Sequence, residues 1–260
     1  MHEASLFRTD LIREKARRGE VTLGTWLTIG HPEVAEAISL LPLDWVVIDM
    51  EHAPLDIQTV ELLLIALRGS HVVPIVRVPW TDPVYVKRAL DVGSQGILYP
   101  LVGSKKDAEL AVAATRYPPK GIRGVGPRRA TMYGFYSAEK YFKEASEKVL
   151  VLVQVETREA LENLDEILSV DGVDGVFVGP NDLSASLGIF RRFDHPEYKK
   201  ALERVLDAAL SRKKIAGIMT RSPQDALEKA KMGFNFISLA HDITMMLQAY
   251  REALKLFERM

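Results

Sequence analysis

Val149-Leu150-Val151-Leu152-Val153-Gln154-Val155-Glu156, followed after one helix-length interval by Gly175-Val176-Phe177-Val178-Gly179-Pro180-Asn181-Asp182, decides the fold. Both stretches open as short, nearly continuous apolar runs rich in β-branched residues. Runs of that length without polar alternation read as strands buried on both faces, and such strands belong to parallel sheets. The interval Thr157–Leu168 carries an amphipathic helical pattern, so the three segments make one β-α-β unit.

The same rhythm extends in both directions. Apolar runs lie at Val21–Leu27, Trp45–Asp49, Val72–Val78 and Gly96–Tyr99 before the quoted stretch, and at Ile215–Met219 and Phe236–Leu239 after it. Amphipathic segments separate them at Glu33–Leu41, Asp56–Arg68, Pro83–Val92, Ser104–Thr115, Pro196–Lys213 and Ser222–Met232, several opened by Pro, Ser or Asp as helix starts favour. Eight such units in 260 residues predict an α/β fold: a (β/α)8 TIM barrel, one domain over 1–260, with added terminal helices at Leu6–Arg18 and Thr244–Phe257. The first of these is expected to cover the barrel bottom or a neighbour. No linker or low-complexity tract divides the chain. The one long irregular stretch, Tyr117 to Ser137, is rich in Gly, Pro and Arg and is expected on the face where such barrels keep their active sites.

Composition narrows the function classes. Hydrophobic residues make up 47% and charged ones 27%, and 34 basic against 35 acidic residues leave a formal charge of -1. That balance offers no electrostatic footprint for nucleic acid or a membrane surface. The first nineteen residues are too charged for a signal peptide and no apolar run reaches membrane-spanning length, so the cytoplasm is the expected location. With no cysteine, disulfides, thiolate nucleophiles and Cys-ligated metal sites are excluded.

In a barrel of this kind the chemistry sits at the C-terminal ends of the strands. Glu156 and Asp182 both lie there, and two readings stand side by side. Carboxylates from neighbouring units can converge on one hard divalent cation such as Mg²⁺ or Mn²⁺, which prefers oxygen ligands. Each also occupies the place of a helix N-cap or first-turn acid, ahead of Thr157-Arg158-Glu159-Ala160 and Leu183-Ser184 respectively. Other polar strand ends are Asp49-Met50-Glu51-His52, Arg77, Gln154, Asn181, Thr220-Arg221 and His241-Asp242. None of these strand ends carries a lysine, so a Schiff-base aldolase lacks its nucleophile. There is no Gly-x-Ser-x-Gly elbow, and Gly121-Ile122-Arg123-Gly124-Val125-Gly126 follows Pro118-Pro119-Lys120, not a strand, which argues against a phosphate cradle.

Six segments in consistent order resemble one family. Gly24-Thr25-Trp26-Leu27, Asp44-Trp45-Val46-Val47-Ile48-Asp49-Met50-Glu51-His52, Ile75-Val76-Arg77-Val78-Pro79-Trp80, Leu90-Asp91-Val92-Gly93-Ser94-Gln95-Gly96, Tyr117-Pro118-Pro119-Lys120-Gly121-Ile122-Arg123-Gly124 and Val178-Gly179-Pro180-Asn181-Asp182-Leu183-Ser184 are similar to the HpcH/HpaI aldolases, class II metal-dependent pyruvate aldolases. The resemblance runs from about Gly24 to Gly188 and continues more weakly to the C-terminus. It implies a carbon–carbon lyase acting on 4-hydroxy-2-keto acids through a pyruvate or hydroxypyruvate enolate, with Mg²⁺, Mn²⁺ or Co²⁺. His52 is implied as base or relay, Arg77 as the arginine at the keto-acid, and Asp91 as the partner of a neighbouring subunit's histidine. Glu156 and Asp182 are implied as metal ligands, and Gln154, Asn181 and Trp26 as substrate contacts. Keto-acid and aldehyde substrates and a homo-oligomer, a hexamer built as a trimer of dimers, complete the implication.

The chain departs from that family's usual pattern at Pro42-Leu43-Asp44-Trp45, at Asn181, and at Ser238-Leu239-Ala240-His241-Asp242, where a Gly-containing run is expected. Gly126-Pro127-Arg128-Arg129-Ala130-Thr131 is expected over the barrel mouth, where Arg129 or Arg191 would read a distal carboxylate. Arg191 and Arg192 also fit a solvated face. An acyl-CoA lyase of the related citrate lyase or malyl-CoA lyase type and a non-catalytic keto-acid-binding barrel are the competing readings.

Overall fold

Each apolar run becomes a strand and pairs in parallel with the next in sequence. In the computed structural model, which describes residues 5–257, these strands are β1 (Thr22–Leu27), β2 (Trp45–Asp49), β3 (Val73–Arg77), β4 (Gly96–Tyr99), β5 (Leu150–Val155), β6 (Gly175–Val178), β7 (Ile215–Met219) and β8 (Phe236–His241). β8 closes on β1 to complete a barrel in strict sequence order. Residues 1–4 and 258–260, included in the single-domain expectation, lie outside the described residues.

Side-chain alternation divides each strand between two cores. Trp45 and Val47 of β2, Val73 and Ile75 of β3, Leu98 of β4, Leu150 and Leu152 of β5, Phe177 of β6, Ile215 of β7 and Phe236 of β8 point inward and fill the barrel. Their neighbours, such as Val46, Ile48, Val76, Val151 and Val153, point outward into a larger apolar layer under the helices. Full burial of one such aliphatic side chain is worth about 1.5–3 kcal/mol. The interior is tight enough to dictate a glycine: the Trp45 indole stacks on Phe236 at 3.8 Å, and a Cβ on Gly24 would overlap its ring.

The helices are α1 (Thr9–Arg17), α2 (Pro32–Ser39), α3 (Ile57–Ala66), α4 (Pro83–Asp91), α5 (Lys105–Thr115), α6 (Ala138–Lys148), α7 (Arg158–Glu162), α8 (Leu164–Ser169), α9 (Pro180–Ser186), α10 (Pro196–Leu210), α11 (Pro223–Met232) and α12 (Asp242–Phe257). Their starts are chemically marked. Asp56, Asp82 and Ser222 accept from first-turn backbone N–H groups, and Ser104 with Asp107 forms a reciprocal capping box. α1 covers the barrel bottom. Its Ile12 and Ala16 join the interior core, while Arg13 donates to Asp174 at 2.7 and 2.9 Å and to the Lys148 and Val149 carbonyls.

Three expectations need correction. The stretch Tyr117 to Ser137 lies at the bottom face, because it follows a helix and precedes a strand: the Ala130 N–H donates to the Asp91 carbonyl and Arg123 N–H to the Arg116 carbonyl. The stretch also leads into α6, whose Tyr141 and Ala145 are buried although no helix was expected there. Finally, Thr157–Leu168 is two helices, α7 and α8. Asn163 breaks them, with its side-chain amide donating to the Gly103 carbonyl at 2.8 Å.

Candidate active site

Carrying the inward alternation one step further along each strand builds the site. After Trp45 and Val47 comes Asp49; after Val73 and Ile75 comes Arg77; after Leu150 and Leu152 come Gln154 and then Glu156. Asp49 and Arg77 are directly paired in the β2–β3 register. Arg77 grips Asp49 with two parallel bonds, Nε to Oδ1 at 2.9 Å and Nη2 to Oδ2 at 2.7 Å, at 6% and 1% exposure. Asp49 Oδ1 also accepts from the backbone N–H groups of Glu51 and His52, so one carboxylate fixes both the guanidinium and the turn that carries His52.

Arg77 reaches outward with its remaining nitrogen. Nη1 lies 3.4 Å from Gln154 Oε1 and 2.9 Å from Glu51 Oε2, the latter as an ion pair outside hydrogen-bonding geometry. Trp26, expected as a substrate contact, is 1% exposed and sits under the guanidinium, 4.3 Å from ring centre to Cζ. It supports Arg77 from below. Asp49 and Glu51 received no role from sequence, yet the β2 alternation that places Asp49 inward was legible there.

Glu156 is 3% exposed, just past β5. Its Oε1 accepts the Leu101 N–H at 2.6 Å and its Oε2 accepts from Gln154 Nε2 at 2.6 Å. Leu101 adopts φ 51°, a left-handed conformation costly for a non-glycine residue, and this turn aims its amide at the carboxylate. Gly179 makes room, since a Cβ there would sit 2.7 Å from Glu156 Oε2. Burial pushes the Glu156 carboxyl up to about 7, with Glu51 and Asp182 adding to the rise and Leu101 and Arg77 opposing it. Burial likewise raises Glu51, helped by Asp49 and Asp182 and opposed by Arg77.

Asp182 lies in the first turn of α9 and is exposed to the mouth beside Asn181. Asp49, Glu51 and Glu156 thus share one guanidinium, already committed to Asp49, and Asp182 adds a fourth carboxylate within electrostatic reach of Glu51 and Glu156. A divalent cation fits this donor set: hard oxygens, an excess of negative charge, and a buried acid that resists ionising alone. Among the described residues no group of three or more His, Asp or Glu side chains is gathered closely enough to hold a metal, and the pair Glu156 and Asp182 is what the site offers as protein ligands, with water and substrate needed for the other positions.

His52 opens to solvent, its Nε2 3.7 Å from Glu51 Oε1. Asp91 is not brought to it. It closes α4 at the bottom face, where Arg123 Nη2 donates to Oδ1 at 2.7 Å, and Arg123 itself is buried over the Tyr117 ring at 4.5 Å. Arg129 is also at that face, bonding the Leu64 and Val92 carbonyls, so it does not overhang the mouth as expected. Arg191 is exposed beyond α9. A cleft of about 840 Å³ around Arg13, Arg116, Asp171 and Lys214 lies at the bottom as well. Its charges are engaged with one another and with backbone carbonyls, and the convergent buried groups of the upper face make the better site.

Comparison with known proteins identifies the family. The profile described as HpcH/HpaI aldolase/citrate lyase matches residues 22–249. The chain is 39% identical over 241 residues to the 5-keto-4-deoxy-D-glucarate aldolase of Escherichia coli (strain K12), covering 92% of this chain and 93% of that one. A solved HpcH/HpaI aldolase/citrate lyase family protein from Burkholderia cenocepacia J2315 superposes with a TM-score of 0.91 at 36% identity, over 96% of this chain and 99% of that chain. The HpcH/HpaI aldolase from Desulfitobacterium hafniense DCB-2 superposes with a TM-score of 0.88 at 28% identity, over 95% and 96%. The chain belongs to the HpcH/HpaI aldolase/citrate lyase family and is a carbon–carbon lyase.

Proposed function

We propose that the chain catalyses reversible aldol cleavage of 4-hydroxy-2-keto acids, of the keto-sugar-acid kind, to pyruvate or hydroxypyruvate and an aldehyde. The observation that carries this reading is Glu156, a buried strand-end carboxylate that accepts from the Leu101 N–H and Gln154 Nε2 and interacts electrostatically with Asp182 in the first turn of α9. Glu156 and Asp182 would hold Mg²⁺, Mn²⁺ or Co²⁺. That cation supplies the Lewis acid that draws charge as the C3–C4 bond breaks.

The chain's own residues do the rest. Arg77, locked by Asp49 from one side and Trp26 from below, presents Nη1 as a fixed positive charge beside the developing enolate oxygen, an interaction stronger in the transition state than in the ground state. Gln154 bridges Arg77 and Glu156, which keeps both at one spacing. Asn181, next to Asp182 at the start of α9, faces the keto-acid carboxylate. His52 accepts the 4-hydroxyl proton as the C3–C4 electron pair moves to C3 and the aldehyde leaves.

A homo-oligomer completes the site in this reading. His52 is exposed and Asp91 of the same chain lies at the other face, so Asp91 from a second copy would orient the imidazole, as in a trimer of dimers. Two features support it. Only Asp242 of α12 is buried, and Ile243, Leu247, Tyr250, Leu254 and Phe257 form an exposed stripe at coiled-coil spacing. Arg123 holds Asp91 rigidly at the surface.

The test is pyruvate release from oxaloacetate, whose decarboxylation gives the same enolate. Release that requires Mg²⁺, Mn²⁺ or Co²⁺, is lost in EDTA and is not accompanied by a borohydride-trapped pyruvate adduct supports the reading. Metal-independent release with a stable protein–pyruvate mass increment overturns it. Among the described residues no helix is long and apolar enough to cross a membrane.

A further inference from the structure

His241 reaches the site through a fault in the barrel. β1 and β8 run in step through Thr22↔Phe236, Leu23↔Ile237 and Gly24↔Ser238, and then Trp26 faces His241. β8 therefore spends one residue more than β1 between the last two pairs. This is a bulge, and Ala240 absorbs it at φ 66°. Alternation alone would place residue 241 outward with Ile237. The extra residue reverses that phase, and His241 falls on the inner face with Trp26, ring centres 5.9 Å apart.

There the imidazole has charged neighbours, Asp49, Arg77 and Asp242 among them. The Ala240 carbonyl is held by Thr25 Oγ1 at 3.0 Å, and the Asp242 carboxylate by Thr28 and the backbone N–H groups of Thr28 and Ile29, so both flanks of His241 are pinned to β1 and its loop. Among the described residues neither ring nitrogen has a hydrogen-bond partner. Burial and nearby Arg77 and His52 favour the neutral ring, with Asp49 and Asp242 opposing. A neutral imidazole offers one N–H and one lone pair, the complement of a hydroxyl group.

We propose that His241 is a specificity-determining residue that hydrogen-bonds a hydroxyl on the aldehyde half of the substrate, beyond C4. This rests on the aldol reading above. In that reading the keto-acid half lies between Arg77 and the β5–β6 carboxylates, and His52 on the β2 turn takes the C4 hydroxyl proton. The remaining carbons then pass the β1–β8 wall, where His241 offers the unused donor and acceptor.

The experiment condenses pyruvate, with Mn²⁺, onto glycolaldehyde or onto propionaldehyde, which has a methyl where glycolaldehyde has the hydroxyl. The readout is the ratio of the two kcat/KM values in wild type, His241→Leu and His241→Gln. The ratio is expected to fall roughly 10- to 100-fold in His241→Leu, as loss of one hydroxyl contact predicts, and to recover in part in His241→Gln, which keeps a donor and an acceptor. An unchanged ratio in both variants, or equal losses for the two aldehydes, overturns the role of His241. Should His241→Leu fail to fold, the ratio in His241→Gln and in His241→Asn decides. Wild-type decarboxylation of oxaloacetate is run alongside: its absence would overturn the aldol reading and this inference together, whereas its presence with an unchanged ratio rejects His241 alone.

Discussion

Stripping the divalent cation at pH 8 should leave the protein less stable than its Glu156→Gln variant. The carboxyl is 3% exposed, and burial lifts it from its ordinary 4.5 to about 7. Between those two values the folded chain holds more proton at this position than the unfolded chain does. Stability of the metal-free protein therefore falls as pH rises from about 4.5 to 7 and levels off above. At about 1.4 kcal/mol for each tenfold change in proton affinity, the full drop from this group is on the order of 3 kcal/mol. Glutamine keeps the oxygen that accepts the Leu101 N–H but carries no charge to desolvate, so the variant lacks this slope. Urea unfolding, followed by tryptophan fluorescence in EDTA at fixed protein concentration, gives the difference between the two proteins at each pH. The glutamine amide nitrogen would face Gln154 Nε2, a lost hydrogen bond that costs the variant about 1 kcal/mol at every pH, so the difference should start slightly in favour of the wild type at pH 4.5 and turn in favour of Glu156→Gln by pH 8. Adding Mn²⁺ at pH 8 should stabilise the wild type and leave the variant where it was. A difference that stays flat with pH, or a wild type that is the more stable in EDTA at pH 8, refutes the claim that this carboxylate is held ready for a cation.

His52→Ala should slow aldol cleavage roughly 10²–10⁴-fold and slow oxaloacetate decarboxylation less, because the second reaction has no 4-hydroxyl to deprotonate; equal losses would reassign His52 to positioning. Gly179→Ala puts a Cβ 2.7 Å from Glu156 Oε2 and 3.4 Å from Gln154 Nε2, so Mn²⁺ binding measured by calorimetry should weaken roughly 10- to 100-fold in a folded protein, and wild-type affinity would refute the steric argument. Mixing inactive Asp91→Ala with inactive His52→Ala subunits should restore part of the activity if Asp91 serves a neighbour's histidine; an undiminished Asp91→Ala variant, or a fully active monomer by light scattering, rejects the shared site.

What the sequence discloses about this site depends on whether strand phase is preserved. In β2, β3 and β5 it is, so the inward series Trp45-Val47-Asp49, Val73-Ile75-Arg77 and Leu150-Leu152-Gln154-Glu156 can be counted off residue by residue. Asp49 stands in that count among the polar strand ends, but its role of gripping Arg77 depends on the β2–β3 register, which local sequence does not mark. Position along the chain was a sound guide too: a segment between a helix and the next strand belongs at the bottom face, which is where Arg129 and Asp91 are found, whereas glycine and arginine content pointed Tyr117 to Ser137 the wrong way. Other features live only in tertiary contacts. Gly179 is required by the neighbouring β5 carboxylate, and Leu101 takes a left-handed turn to serve the same group, and neither position is marked by local propensity. β8 fails for a different reason. One inserted residue at Ala240 shifts the phase of everything after it, and a period-two reading has no means of detecting an insertion that the hydrogen-bond ladder with β1 absorbs. His241 is therefore placed facing Trp26 by pairing that only the closed barrel defines.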